Sequence, residues 1–228
     1  MLRSWVSTHS NVQKAIICDN STNEETSKLL NEHNIPYFTD PGGTHGCGVN
    51  KLIEKCTTKY ALLVDTDIIF LKNHTSIFQK FKEMDLTLMG KVEGDRGGKL
   101  IHNRVNPWHC FINVDHIKEK NIIFFDEGRM RESFKTSKIY DIGSTFLEDI
   151  KSNKLKIGDI DLSTNYYYHL EGMSWYKNKY SNANGDTGID FGGTHDNYQY
   201  VELFNSKYTI FESIASKYEG YNIKNMYI

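Results

Sequence analysis

The stretch from Lys59 to Leu71, reading KYALLVDTDIIFL, constrains this chain more than any other. Apolar, β-favouring residues run to Val64, two carboxylates stand one residue apart at Asp65 and Asp67, and the apolar run resumes at Ile68. Such a run reads as a buried strand whose end carries acid groups, and buried charge is costly without a partner. Side chains at i and i+2 of an extended segment point the same way. Asp65 and Asp67 therefore face one site, where a hard divalent cation offsets their repulsion. The spacing alone is weak, because roughly one D-x-D arises by chance in a chain this size. A second, Asp159-Ile160-Asp161, has no such strand before it and reads as a solvated strand end.

Length and charge bound the class. At 228 residues the chain fits one domain with a C-terminal extension. The 27 basic and 29 acidic residues are well mixed, net -2, which gives neither a basic face for nucleic acid nor an acidic tail. Cys18, Cys47, Cys56 and Cys110 show no zinc spacing, so reduced, buried thiols are expected. No apolar run has the length of a membrane span and the start lacks a signal-peptide core, so a cytoplasmic protein, or a fragment cut from its anchor, fits. The sequons at Asn20 and Asn73 fall beside the proposed site and read as chance. Aromatics make up 13%, enough for a core and for flat rings in a sugar-binding cleft.

Along the chain, Leu2, Trp5 and Val6 suggest a short helix and Ala15 to Cys18 a strand, ending at Asp19. Thr22 and Glu25 form a capping-box pattern for a helix through about His33, and Ile35 to Phe38 reads as extended. The loop from Asp40 to Gly48 holds four glycines and opens a helix with Val49, Leu52, Ile53 and Cys56 on one face. It reads either as a phosphate cradle or as a plain connection. The order strand, helix, short strand, helix, strand implies an α/β sheet, largely parallel, with ligands beyond the carboxyl ends of the strands, where Asp19, Asp65 and Asp67 fall. Phe78 to Met84 and Ser144 to Lys151 read as helices and Leu86 to Gly90 as a strand. Asp141 is a single carboxylate on an apolar segment. Phe204, Tyr208, Phe211, Ala215 and Tyr218 mark a C-terminal helix with one apolar face.

Two segments carry a family resemblance. Ile16-Ile17-Cys18-Asp19-Asn20-Ser21-Thr22, and Gly46-x-Gly-x-Asn50 followed by Tyr60 to Asp67, resemble glycosyltransferases of the glycosyltransferase-A fold, above all the large inverting family two. The likeness covers about residues 2 to 175 and is most specific over the first 70. Small stand-alone enzymes of this type in large DNA viruses are similar in size, which would put the protein in the host cytoplasm. The family opens with a nucleotide-binding strand, whereas here Leu2 to Val6 already reads as its first helix.

The resemblance implies a single Rossmann-like glycosyltransferase-A domain, with residues 1–90 holding the nucleotide sugar, 91–175 the acceptor, and 176–228 a loop and C-terminal helix. It implies a nucleotide-sugar donor, a UDP-sugar first, and a glycan or other hydroxyl acceptor. Asp19 and Asn50 would contact the donor, Asp65 the ribose or the metal, and Asp67 a Mn2+ or Mg2+ ion. His169 would complete the metal ligands, with His195 in reserve. Asp141 resembles the catalytic base, and the Glu148-Asp149 pair makes Asp149 the alternative. Trp108, His109 and Trp175 are candidates for stacking on an acceptor sugar, or for ordinary core packing. Two other readings stay open: a phosphatase of the haloacid dehalogenase type, and a non-catalytic sugar-binding or scaffold domain.

Overall fold

A computed structural model describes residues 1–9, 15–20, 24–41, 43–94, 100–160, 166–170 and 198–221. The expected opening order is present as β1 (Ile17–Asp19), α2 (Glu24–Glu32), β2 (Tyr37–Thr39), α3 (His45–Lys55) and β3 (Tyr60–Val64), preceded by α1 (Leu2–Thr8). β4 (Ile68–Phe70), α4 (Thr75–Glu83), β5 (Leu88–Glu93) and β6 (Arg104–Asn113) follow. Next come α5 (Val114–Glu119), α6 (Glu127–Ser133), α7 (Ser144–Ser152), β7 (Ile157–Asp159), β8 (Tyr167–His169) and α8 (Tyr198–Ala215).

The central sheet has the order β3-β6-β5-β7. β6 is antiparallel to both β3 and β5, and β7 is parallel to β5, so three of the four strands run one way. β1 and β2 form a separate parallel pair and β4 and β8 an antiparallel one. Pro107 lies within β6 near the point where pairing to β5 shifts register, between Gly90 and Val92. An irregularity tolerates a residue with no N–H to give the ladder.

Alternation along the strands sends side chains to two cores. Leu63, Leu88, Cys110 and Ile112 join Val49 and Ile53 of α3 and Phe146, Leu147 and Ile150 of α7 on one face. Met89 and Phe111 meet Phe81 of α4 and Ile68 and Phe70 of β4 on the other. A sheet buried on both faces explains strands that read as nearly continuous apolar runs. All four cysteines are free thiols, with Cys56 and Cys110 buried and Cys18 and Cys47 half-buried. Among the described residues no helix is long and apolar enough to cross a membrane.

One expectation is corrected. The run from Lys59 to Leu71 is two strands in two sheets rather than one, and a turn at Thr66 and Asp67 separates them. The two carboxylates therefore come together through the turn at the end of β3 and not through strand alternation. Two carboxylates opposite one another in a dry strand would lack solvation, whereas a turn at the sheet edge leaves both half-buried.

Candidate metal and catalytic centre

β3 delivers Asp65 to the carboxyl edge of the central sheet, where its backbone N–H donates to Trp108 O at 3.2 Å. Asp67 lies two residues on, and its carbonyl accepts from Leu170 N at 3.1 Å. That bond continues the β4/β8 ladder, in which Ile68 pairs with His169. The ladder sets the imidazole beside the carboxylate: His169 Nε2 is 3.1 Å from Asp67 Oδ1. Ligand atoms of Asp65, Asp67 and His169 all lie within 4.8 Å of one another. Adjacent ligands of one ion bound at about 2.1 Å stand ~3 Å apart, and two carboxylates with an imidazole suit Mn2+ more than Mg2+. These three residues fit a divalent cation.

His45 joins them, and sequence reasoning missed it. It is the first residue of α3, and its Nε2 lies 3.0 Å from Asp65 Oδ1 with the side chain 41% exposed. Desolvation lowers its pKa, but the hydrogen bond to Asp65 and the charges of Asp65, Asp67 and Asp141 outweigh this, and the net displacement is upward. The available signal was a metal-ligand residue type inside the glycine-rich loop. The glycines themselves serve packing. A Cβ on Gly46 would fall 2.2 Å from the Phe125 ring, and one on Gly48 would fall 3.3 Å from Cys18 Sγ.

Asn50, expected at the donor, is engaged within the protein. Its Oδ1 accepts from Phe124 N and Phe125 N at 2.8 and 3.0 Å, and its Nδ2 donates to Phe125 O at 2.8 Å. Asp19 ends β1 as expected, but its carboxylate is buried and accepts from Ser27 Oγ of α2 at 2.7 Å.

Asp141 sits in the turn before α7. Its Oδ2 accepts from Arg104 Nη1 at 2.5 Å and its Oδ1 from Ile142 N at 2.7 Å. Arg104 also donates through Nη2 to Glu93 Oε1 at 2.8 Å. The guanidinium carbon lies 5.2 Å from the centre of the Trp108 ring, and that ring lies 5.3 Å from the ring of His169. Trp108 therefore stands between the Arg104–Asp141 pair and the acidic cluster. Asp149 is elsewhere in the polar network: its Oδ1 accepts from Arg129 Nη1 at 2.6 Å, and Arg129 also pairs with Glu148. Asp159 accepts from Val92 N at 2.9 Å, tying β7 to β5.

Of the two readings left open for His109, the structure shows core packing. The residue is 2% exposed, its ring stacks on Tyr167 at 4.3 Å, and its Nε2 lies 3.1 Å from His74 Nε2. Its neighbour Trp108 packs on the same core but is half-buried and reaches the His169 ring at 5.3 Å. Burial above all, and then the charge of a neighbouring histidine, His9 beside His74 and His74 beside His109, push the pKa of His74 down to about 4 and that of His109 to about 3. Trp175, His195 and Asp161 lie outside the described residues.

No family model matches the chain, and no curated protein matches it in sequence. Solved structures do match in fold. The crystal structure of S. aureus TarS is 17% identical with a TM-score of 0.53, over 74% of this chain and 33% of that one. The structure of TarS 1–349 is 16% identical with a TM-score of 0.50, over 74% of this chain and 55% of that one. The chain thus spans a third to about half of those proteins. At such identity the likeness shows the fold alone, a mixed α/β domain.

Proposed function

We propose that this protein is a metal-dependent glycosyltransferase that moves a sugar from a nucleotide sugar to a hydroxyl acceptor with inversion. The observation that carries this reading is the cluster of Asp65, Asp67 and His169 at the carboxyl edge of the parallel strands, with Asp141 across Trp108 from it. Ligands of open α/β sheets bind at that edge. Asp65, Asp67 and His169 would hold the cation, which supplies charge stabilisation for the departing diphosphate.

The remaining work falls to the chain. The acceptor oxygen attacks the anomeric carbon from the face opposite the diphosphate, and a new C–O bond forms. The bond from that carbon to the phosphate oxygen breaks, and its electron pair leaves with the nucleoside diphosphate. The acceptor proton passes to the Asp141 carboxylate. Both aspartates pair with an arginine, and Asp141 is favoured over Asp149 because its partner Arg104 lies against Trp108, the neighbour of His169, whereas the partner of Asp149 is Arg129 on α6. A phosphatase of the haloacid dehalogenase type would need its acidic motif after the first strand, and Asp65 follows β3.

A thermal-shift panel of UDP-, GDP- and CDP-sugars with and without Mn2+ tests the reading, because a ligand that binds only the native state raises its stability. Stabilisation by UDP-sugars only with metal is expected. Stabilisation by none of them would leave a non-catalytic domain of the same fold.

A further inference from the structure

The turn that carries Asp141 is fastened to the start of β6. Val105 N donates to Gly143 O at 3.4 Å, Ser144 Oγ donates to His102 O at 3.1 Å, and Asp141 N donates to Ser144 Oγ at 3.1 Å. Gly143 has φ 84°, and a Cβ there would lie 2.4 Å from Val105 O, so the approach to β6 requires glycine. Arg104 is the first residue of the same strand. Its side chain is 7% exposed, against 20% for Asp141, so the cation is held inside while one side of the carboxylate is open. Glu93 is the direct cross-strand partner of Arg104 on β5. Both Nε, at 3.2 Å, and Nη2, at 2.8 Å, donate to the same Glu93 oxygen, which aims Nη1 at Asp141.

We infer that Arg104, held by Glu93 on a regular strand pair, is the positioning residue that fixes the Asp141 carboxylate for proton abstraction from the acceptor. This inference rests on the proposed transfer reaction. The backbone holds only one oxygen of Asp141, Oδ1 through Ile142 N, so the other depends on Arg104, and a base misplaced by about 1 Å costs ~10²-fold in rate. A guanidinium fork supplies the restriction, because its planar donors have a fixed geometry that an ammonium lacks. Trp108 lies against the guanidinium at 5.2 Å and beside the His169 ring at 5.3 Å, which connects the Glu93–Arg104–Asp141 chain to the Asp67–His169 pair.

The test uses the full chain with Mn2+ and UDP-glucose, UDP-galactose and UDP-N-acetylglucosamine, reading UDP release, together with calorimetric binding of UDP. Arg104→Lys keeps the charge and loses the fork. It should lower kcat by about 10²-fold while donor KM and UDP affinity stay within about twofold of wild type. Glu93→Gln, which keeps the side-chain shape, should lower kcat in the same selective way. Adding Arg104→Lys to Asp141→Asn should cost nothing further, since a residue that acts only through Asp141 has nothing left to position. Multiplicative losses in that double variant, or UDP affinity falling in step with kcat, would overturn the positioning role. Normal kcat in both Arg104→Lys and Glu93→Gln would overturn it as well. A wild-type protein that releases no UDP from any of the three donors fails earlier, and then the transfer reading falls first.

Discussion

His169 Nε2 lies 3.1 Å from Asp67 Oδ1 across 102 residues of sequence. The β4/β8 ladder produces this pairing, because the backbone bond from Leu170 N to Asp67 O sets the register that brings the two side chains together. A metal centre held by these residues would depend on a strand pair as much as on its ligands.

Asp67→Ala should abolish Mn2+-dependent UDP binding and leave the fold intact, with a stability change of no more than ~1 kcal/mol, because the backbone bond to Leu170 survives. Calorimetry with and without Mn2+ measures the first and urea unfolding the second. Undiminished metal-dependent binding in the folded variant would remove Asp67 from the ligand set.

Manganese affinity in the presence of UDP should fall at least about tenfold in His169→Ala and also in His45→Ala, the first by loss of a ligand and the second by release of Asp65 from its partner at 3.0 Å. If His169→Ala binds Mn2+ normally and His195→Ala does not, the third ligand is His195.

Asp141→Asn should keep UDP affinity and lose about 10²- to 10⁴-fold in turnover, the usual contribution of a positioned base. Asp149→Asn should leave turnover near wild type and lower stability modestly through loss of the Arg129 pair. A reversed pattern would move the base to α7.

Asn50→Ala should destabilise the fold by about 3 kcal/mol, because it strips partners from two backbone N–H groups and one carbonyl at Phe124 and Phe125. Urea unfolding gives the value. A variant of normal stability that no longer binds UDP would restore the donor contact read from the motif.

Stability should fall with acidity through His74 and His109. Both are buried and stay neutral in the folded protein down to about 4 and about 3, while an unfolded histidine takes its proton near ~6.5. The unfolded state therefore binds more protons. Stability is complete above pH ~6.5 and declines below it by ~1.4 kcal/mol per unit for each histidine until the folded pKa is reached. Urea midpoints at pH 7.5 and pH 5 check this against the His74→Gln/His109→Gln variant, in which the slope should be shallower. Equal slopes would show that the two histidines protonate without cost in the folded protein.

Much of the fold was legible in the residues. The order from α1 through β3 follows from apolar period, glycines and turn residues, all of which act within a few positions. Two carboxylates interrupting a β-favouring run pointed to Asp65 and Asp67, which the structure brings together with His169, because buried charge is rare without a function. The boundary inside that run was not legible, since Ile68 to Phe70 is as apolar as the residues before it and nothing local says that it leaves for a second sheet. Spacing suggested the two aspartates and the family resemblance the histidine, but neither said that Arg104 would meet Asp141, that His45 would meet Asp65, or that Trp108 would lie beside His169 while His109 is buried. Those choices depend on strand register and on which face of β6 each residue takes. Local sequence determined which segments are extended, helical or buried. Only the pairing of distant strands decided which side chains share the site, because a one-residue change of register turns every side chain of a strand to the opposite face.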